Sequence, residues 1–482
     1  MKGDFSRFTF DPDRAYTAVL YQQGRIQLDA DFNEQSAIMR HELRELAKLL
    51  IGPHGGEQHA FQVRHHAMRR DAGEPTQDPQ SDILFADIGT YYVDGIRCVN
   101  GKPIPLLWFH SRHPPKDEEY LVYLDVWEHE VLPVQDPHLV DEAIAHADAT
   151  LRADVSWHVR FARIRGTIEH NDDDDLIEWL IHQLWRLADA AAVAFARWLG
   201  EGEETEEIRS GLNRRDLVRD AVKFESWEDA AALIRRENPP RLRVAEGSTY
   251  NGDEHALYRV EIHDPGESGE ATFKVSHDNG ATVCQVFAVH NDTLTVSPLG
   301  SQPMDLKEND CLELVTDRTL RARFPLPLLR VVSISDNADE NGRWTLQVDP
   351  PGAAAGGLDS RHDPERLHAL LRRWDDEQPV EPDQAIDVGY GIKVEFEAGE
   401  YRRGDAWLIP ARVGGRDDGI EWPRDRHGER RYRGPRDVHH IAPLALVHSD
   451  GARLEVEDLR SVVPPPTRPR HPDRDQESVE GG

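Results

Sequence analysis

The stretch Tyr21-Gln-Gln-Gly-Arg-Ile-Gln-Leu-Asp-Ala-Asp-Phe-Asn-Glu-Gln35 separates two kinds of local structure. The residues before it have the pattern of short extended segments, and those after it predict a helix that runs to Leu50. Gly24 suits the intervening turn, because glycine adopts positive φ without steric cost. Asp31, followed three residues later by Glu34, is a candidate capping box, so the helix is predicted to begin here.

The predicted helix carries a narrow apolar seam. Its residues recur at spacings of four and three, and they are Phe32, Ser36, Met39, Leu43, Leu46 and Leu50. Such spacing is typical of a coiled coil or of a packed pair of helices. The seam is therefore predicted to contact another helix.

Polar residues of the same stretch form a candidate docking motif. They are Gly24, Arg25, Gln27, Asp29, Asp31, Asn33 and Glu34. Their carboxylates could form a polar site, but acids at a helix start also satisfy free N–H groups and the positive end of the helix dipole. An acid pair without a nucleophile or a metal cluster is weak evidence for catalysis. We therefore interpret the motif as structural first and as a docking element second.

Length and charge narrow the classes of protein. A chain of 482 residues is long enough for two to four domains. Its formal net charge of -32 argues against nucleic acid as a partner, because phosphate binding needs a basic face. The first residues contain no apolar segment typical of a secretory signal, and no run of apolar residues is long enough for a membrane span.

The cysteines predict neither disulfides nor a metal pair. Cys98, Cys284 and Cys311 are far apart, odd in number and set among apolar strand-like residues, so buried thiols are expected.

The strand pattern predicts a mainly β fold with helical segments (α+β), built from short-stranded antiparallel barrels or sandwiches, with an N-terminal helix and a helical insertion. The predicted units are an N-terminal strand–helix segment with a β-domain (1–165), a helical insertion (166–237), a β-barrel or sandwich (238–350), a C-terminal β-rich segment that packs back on the N-terminal domain (351–463), and a disordered tail (464–482).

Particular turns and strands are also predicted from local residue patterns. Asp94-Gly95 and Asn279-Gly280 are hairpin signals of the two-residue type. Residues 120–127 predict a strand buried on both faces. Residues 364–374 predict a short helix or a docking segment, and the last clear strand is placed at 405–409.

No recognisable catalytic motif is present, and we predict no catalytic residue, no metal site and no cofactor. Glu261 and His263 share one face of a predicted strand, and His439 and His440 are adjacent, but neither pair has a third ligand at an informative spacing. Such a pair on a strand is expected at the surface. Asp278 is interpreted as a turn residue.

Aromatic residues in strand-like stretches could form a sugar-binding face. They are Tyr91, Tyr92, Trp108, Trp127 and Trp157. Core packing is the simpler interpretation, because large aromatic side chains supply much of the buried area of small β-domains.

A set of segments, in order along the chain, resembles the DUF6519 family, an uncharacterised family of phage-tail-like proteins. The segments are Met1-Lys-Gly-Asp-Phe-Ser-Arg7, Gln22-Gln-Gly-Arg-Ile-Gln-Leu-Asp-Ala-Asp-Phe-Asn-Glu-Gln35, Tyr92-Val-Asp-Gly95, Tyr120-Leu-Val-Tyr-Leu-Asp-Val-Trp-Glu128, Trp157-His-Val-Arg160, Leu257-Tyr-Arg-Val-Glu-Ile-His263, Phe273-Lys-Val-Ser-His-Asp-Asn-Gly280, Leu371-Arg-Arg-Trp-Asp375, Tyr401-Arg-Arg-Gly-Asp-Ala-Trp-Leu-Ile-Pro-Ala-Arg412 and His439-His-Ile-Ala-Pro-Leu-Ala445. The sequence departs from the family in a longer helical block near 166–236 and in Val275 and His277, where Trp and Arg are expected.

The resemblance implies a setting more than a chemistry. It implies a non-enzymatic structural or adaptor component of a contractile, phage-tail-like injection system, at the baseplate or tail-fibre end. The implied partners are other baseplate or fibre subunits, with a homo-oligomer as an alternative. The protein would be made in the cytoplasm and assembled into a particle that the cell can release. Two alternatives stay open: a module of the particle that binds glycans or another target surface, and a delivered effector or hydrolase with a His/Asp/Glu site.

Overall fold

A computed structural model shows a chain built mainly from antiparallel β-strands, with one long helix near the N-terminus of the described part, as the sequence pattern predicts. The structure describes residues 1–67, 82–106, 118–140, 143, 150–165, 239–290, 292–299, 304–317, 319, 326–335, 337–349, 364–414, 418–436, 439–449 and 454–463. The predicted helical insertion (166–237) and the predicted tail (464–482) lie outside these residues. No helix in the described ranges is both long and apolar enough to cross a membrane.

The strands are numbered in chain order. Those of the first part are β1 (His54–Gly56), β2 (Val63–Ala67), β3 (Asp82–Ala86), β4 (Gly89–Val93), β5 (Ile96–Asn100), β6 (Ile104–Leu106), β7 (Glu118–Val131), β8 (Arg152–Arg165), β9 (Leu242–Val244), β10 (Ala256–Ile262), β11 (Gly266–Glu267) and β12 (Thr272–Ser276). Those of the second part are β13 (Val283–His290), β14 (Thr293–Pro298), β15 (Cys311–Val315), β16 (Leu329–Ile334), β17 (Trp344–Asp349), β18 (Leu370–Trp374), β19 (Asp376–Pro379), β20 (Ile386–Asp387), β21 (Lys393–Phe396), β22 (Glu400–Tyr401), β23 (Ala406–Ala411), β24 (His440–Ser449) and β25 (Leu454–Asp458). Short 3-10 helices occupy Pro12–Arg14 and Pro137–Leu139.

Helix α1 (Asp29–Ile51) begins earlier than the sequence suggests. Its N-cap is Leu28, whose backbone N–H donates a hydrogen bond to Asp31 Oδ2 at 3.4 Å. Asp31 therefore closes the first turn from inside the helix, and Glu34 accepts a hydrogen bond from the Thr9 hydroxyl instead. The predicted Asp31–Glu34 capping box is wrong, because both carboxylates lie within the helix and bind groups that precede it.

The first β-module combines three sheets, in the strand orders β1-β4-β5, β2-β3-β6 and β25-β24-β7-β8. One apolar core joins them, and its members include Phe61, Tyr91, Leu124, Phe161 and Leu444. Residues 120–127 are buried along their whole length, which confirms the prediction of a strand covered on both faces. Strand β24 pairs with β7 through nine of its ten residues, so the end of the described chain completes this sheet.

Strands β24 and β25 correct the sequence analysis, which placed the last clear strand at 405–409. Pro443 lies inside β24, and proline inside a strand argues against a central position in a sheet. The structure accommodates this residue at a register shift between Pro443 and Ala445.

The Asp94-Gly95 hairpin is confirmed. The two residues connect β4 to β5 with φ of 48° and 77°, the positive pair that a type I′ turn requires. A Cβ on Gly95 would come within 2.5 Å of the Arg44 carbonyl oxygen, so the turn touches the backbone of α1.

The second β-module contains the sheets β19-β12-β10-β23 and β20-β21-β9 and the pair β11-β22. Its core includes Tyr258, Val260, Phe273, Phe396 and Trp407. The opposite face of β10 carries charged side chains that are nevertheless buried, as described below.

Between β12 and β19 the chain forms a closed barrel, β13-β14-β17-β16-β15-β18. The barrel extends from Val283 to Trp374 and so crosses the boundary predicted at residue 350. Its last strand, β18, occupies residues predicted as a helix or docking segment. That prediction is wrong: every residue of β18 is buried, so the run Leu-Leu-Arg-Arg-Trp shows no alternation.

Asn279-Gly280 forms a turn but not a hairpin. Both residues have positive φ, at 55° and 63°, as the motif predicts. The strands on either side diverge, however: β12 pairs with β10 and β19, whereas β13 pairs with β14 and β18. The turn carries the chain from one module into the barrel. After the barrel, β19 returns beside β12, with Val275 opposite Asp376.

All three cysteines are free and buried, as predicted. Burial raises the pKa of each thiol to about 12, which makes the thiols unreactive at neutral pH.

Candidate docking surface

The carboxylates of the predicted motif bind the N-terminal arm, residues 1–28. Asp29 accepts two hydrogen bonds from Ser6, one from the hydroxyl at 2.6 Å and one from the backbone N–H at 2.9 Å. Gln35 Oε1 accepts from the Val19 N–H at 2.7 Å. Partial burial raises the pKa of Asp29, but the hydrogen bonds from Ser6 outweigh this and hold the pKa below its usual value. These contacts lay the arm along α1.

The remaining motif residues have a different environment. Gly24, Arg25 and Gln27 are exposed and Asn33 is half-buried. Gly24 has φ of 72° with open space where a Cβ would stand. Within the described ranges none of the side chains of Arg25, Gln27 and Asn33 forms a hydrogen bond.

Large apolar side chains beside this motif are also exposed. They form a set that we call the α1 apolar face: Leu20, Tyr21, Ile26, Leu28, Phe32, Met39, Leu43, Leu46, Leu49 and Leu50. The exposed fraction is 88% for Ile26 and 82% for Leu49, and the predicted seam residues range from 51% for Phe32 to 73% for Leu50. Single exposed leucines are ordinary, but a set of this size on one helix and its arm makes the face a candidate docking surface.

The opposite side of α1 is attached to the first β-module. Ala30 and Ile38 are buried. Arg44 Nη2 lies 2.6 Å from Glu128 Oε1, and Arg40 Nη1 lies 3.4 Å from the same oxygen. Because the attachment uses this side, the apolar residues of the predicted seam stay more than half exposed, although the Phe32 ring contacts that of Tyr21, with centroids 5.1 Å apart.

A buried network of charges connects the start of the N-terminal arm to the first β-module, the second β-module and the barrel. Glu130, at the end of β7, accepts the Lys2 backbone N–H at 3.0 Å and pairs with Arg372 Nη2 of β18 at 2.9 Å. Burial raises the pKa of Glu130, but the charges of Lys2 and Arg372 outweigh burial and lower the pKa to about 2. The carboxylate is therefore ionised in the folded protein.

The second part of the network lies on the charged face of β10. Glu261 contacts Arg259 Nε at 2.6 Å, Lys2 Nζ at 3.1 Å and Lys274 Nζ at 3.2 Å. Lys274 Nζ also lies 2.6 Å from Glu313 Oε2 of the barrel strand β15. Removing one charged side chain of such a buried pair strongly destabilises a protein, because the other charge stays buried and unpaired. The network therefore holds the modules together.

The Trp374 indole completes this part of the network. It donates a hydrogen bond to Glu313 Oε2 at 3.0 Å, and the Lys274 ammonium lies 4.3 Å from its ring centroid. Burial raises the pKa of Glu313, but the charge of Lys274 outweighs it, and the pKa falls to about 2.

Glu261 and His263 are not the surface pair that the sequence suggested. Glu261 is 4% exposed and His263 is 1% exposed, because β10 is covered on its charged face as well as on its apolar one. Burial, together with the nearby charge of Lys274, lowers the pKa of His263 to about 3. The imidazole is therefore neutral.

The other residues considered for a His/Asp/Glu site have partners of their own. Asp278 accepts hydrogen bonds within its turn, including one from the Thr282 hydroxyl at 2.7 Å. His440 pairs with Asp94 at 2.9 Å, and His439 pairs with Asp125 at 2.7 Å, both in the first β-module.

The aromatic residues contribute mainly to cores. Tyr91 is fully buried, and Trp127 is 9% exposed and stacks on His439 with ring centroids 5.0 Å apart. Trp157 packs edge-on against Phe61 at 4.8 Å. Tyr92 is half-buried, and Trp108 lies outside the described residues.

Sequence reasoning missed most of the charge network. The sequence does contain one signal of this network, which is a charged residue inside an apolar strand. Lys274 lies between Phe273 and Val275, and Glu313 lies between Leu312 and Leu314. Such positions are rarely occupied by a charge unless the charge is paired. The other members of the network, among them Lys2 and Glu130, are too distant in sequence to be matched by spacing.

The fold and this surface define a multi-module antiparallel β-protein with an exposed apolar helix face. The sequence model of a family of unknown function, DUF6519, matches residues 1–199 and 235–457. The chain therefore belongs to the DUF6519 family. No curated protein and no solved structure matches it.

Proposed function

We propose that this protein is a non-enzymatic structural or adaptor component of a phage-tail-like contractile injection particle, at the baseplate or tail-fibre end, and that the α1 apolar face docks it to a neighbouring subunit. The observation that carries the proposal is the exposure of the whole predicted seam of α1. The resemblance described above supports the particle as the setting.

The occupant that fits the face is a helix of a different subunit. The seam spacing matches the repeat by which two helices pack side by side. A second copy of the chain is disfavoured, because each copy carries a formal net charge of -32 and like charges repel. A partner helix with an apolar stripe and basic flanks would meet both requirements.

The test uses the full chain in a strain that produces the particles. Intact particles are purified and analysed by mass spectrometry with the wild-type chain and with the Leu43→Asp/Leu46→Asp variant. The wild type is expected in the particles and the variant is expected to be lost from them. The melting temperature of the isolated variant should be unchanged, because both residues are exposed.

A matched control is Val332→Asp, which places the same charge at an exposed apolar position of the barrel strand β16. It should be incorporated like the wild type. Absence of the wild type from intact particles would contradict the particle assignment. Normal incorporation of the double variant would contradict the docking surface.

A further inference from the structure

Three metal-binding side chains from separate parts of the second β-module converge at one end of its four-stranded sheet. His263 and Asp264 directly follow β10, and Glu377 lies on β19. One ligand atom from each residue can be chosen so that all three lie within 4.8 Å of one another. The register explains this: Glu261, Lys274 and Glu377 form one row across β10, β12 and β19, and His263 follows two residues after Glu261 on the same face.

One buried polar atom at this point has no partner in the described part of the protein. His263 Nδ1 is buried and has no hydrogen-bond partner among the described residues. Neither Asp264 nor Glu377 forms an ion pair within the described ranges. Leaving a buried imidazole nitrogen unpaired is costly, so the arrangement calls for a ligand.

The Thr272 hydroxyl lies between the two carboxylates. Its oxygen lies 3.3 Å from Asp264 Oδ2 and 3.0 Å from Glu377 Oε1. A hydroxyl has one proton, so it donates to only one carboxylate at a time. Two carboxylates of the described chain are thus held around one donor, with no described cation paired to either.

We propose that His263, Asp264 and Glu377 bind a divalent transition-metal ion, with zinc the best match. One imidazole nitrogen and two carboxylate oxygens are donors that zinc accepts, whereas calcium and magnesium prefer oxygen alone. Three protein ligands leave a coordination position for water, and Asp264 is exposed, so solvent reaches the ion.

The nearby cations do not block the ion. Lys274 lies on the same face, but Glu261 and Glu313 pair with its ammonium at 3.2 Å and 2.6 Å. Arg403 is oriented toward Glu313, with Nη2 3.8 Å from Oε1. Both cations thus pair with Glu313 of the buried network, and among the described residues neither forms an ion pair with Asp264 or Glu377.

The test is a zinc titration of the full-length chain after removal of metals with EDTA, by isothermal titration calorimetry. Asp264→Asn and Glu377→Gln keep the side-chain shapes and should each weaken zinc binding by about tenfold or more. Glu267→Gln, which removes an exposed carboxylate of β11, is the matched control and should bind like the wild type. Zinc should raise the melting temperature of the wild type and of the control, and raise it less in the two ligand variants.

Each protein is compared with itself with and without zinc, so a change in intrinsic stability does not hide the result. A cobalt-loaded chain adds a second readout, because its visible absorption should be lost in the Glu377→Gln variant. Equal zinc binding in all four proteins would place the metal on other histidines and overturn the proposal, as would the absence of any binding. An equal response to magnesium would overturn the choice of a transition metal.

Discussion

The backbone N–H of Lys2 donates a hydrogen bond to Glu130 Oε2 at 3.0 Å, although 128 residues separate the two in sequence. The other oxygen of the same carboxylate binds Arg372, which is 242 residues further along the chain. One buried carboxylate thus connects the N-terminal arm, the first β-module and the barrel.

We therefore expect Glu130→Ala to destabilise the protein by about 3–5 kcal/mol, because it leaves Arg372 buried without its partner. Differential scanning calorimetry of the full chain measures this as a lower transition temperature. Glu308→Ala, at an exposed position of the barrel, is the control and should have almost no effect. Similar transitions for the two variants would contradict the importance of the pair.

The ionisation of Glu130 also predicts that the stability of the protein depends on pH. The pKa of this carboxylate falls from the usual 4.5 to about 2 on folding, so the unfolded chain binds the proton more readily. The stabilisation, roughly 3 kcal/mol, is complete above pH 4.5 and disappears as the pH falls toward 2. The difference in melting temperature between wild type and Glu130→Gln should therefore shrink over this interval. A difference that stays constant from pH 6 to pH 2 would exclude this explanation.

At Asn279 the contribution of backbone conformation to stability can be measured separately from that of side-chain hydrogen bonding. Asn279 is fully buried with φ of 55°, and its Nδ2 donates to the Gly3 carbonyl at 2.9 Å. Asn279→Gly keeps the positive φ and loses the side-chain hydrogen bond, which should lower the free energy of unfolding by about 1–3 kcal/mol. Asn279→Ala should cost about 1 kcal/mol more, because alanine disfavours positive φ. Calorimetry that finds alanine equal to glycine would show that the backbone makes no contribution.

Two glycines with similar φ should differ in how much stability the protein loses when each is replaced by alanine. Gly24, at φ of 72°, has no atom within 4 Å of the point where a Cβ would stand, whereas a Cβ on Gly95, at 77°, would meet the Arg44 backbone. Gly24→Ala should therefore cost about 1–2 kcal/mol from conformation alone. Gly95→Ala should cost more and should also increase hydrogen exchange in α1. Equal exchange in the two variants would contradict the close contact between the turn and the helix.

Salt should reveal the α1 apolar face in the isolated protein. At low ionic strength the charge of -32 keeps copies apart, but the Debye length falls from about 10 Å at 0.1 M to about 3 Å at 1 M salt. Sedimentation velocity should show weak self-association that increases with salt and is absent from the Leu43→Asp/Leu46→Asp variant. Association of the variant equal to that of the wild type would place the associating surface elsewhere.

The sequence was sufficient for features that depend on neighbouring residues. The Asp94-Gly95 turn follows from the need for two positive φ values, and the strand around residues 120–127 follows from a continuous apolar run. The seam of α1 was visible for the same reason, since its period is local.

Features that depend on distant partners could not be predicted. The arginines of β18 disguise a strand, because Glu130 and Asp305 neutralise Arg372 and Arg373 from other parts of the chain. The convergence of His263 with Glu377 follows from strand pairing that sequence spacing does not record. Asn279-Gly280 gives the correct turn geometry but not the sheet to which the next strand belongs.

The return of β19 to the side of β12, and of β24 to the side of β7, determines the order in which the protein can be completed during synthesis. The barrel strands are contiguous in the chain and can close as soon as β18 emerges. The four-stranded sheet β19-β12-β10-β23 of the second β-module cannot be completed before β19 and β23 are made. The four-stranded sheet β25-β24-β7-β8 of the first β-module cannot be completed before β24 is made. Completion on the ribosome therefore proceeds from the innermost unit outward. The edge of β7, although it is made early, stays open between the synthesis of Val131 and that of His440, so a nascent chain can pair with a neighbour along this edge.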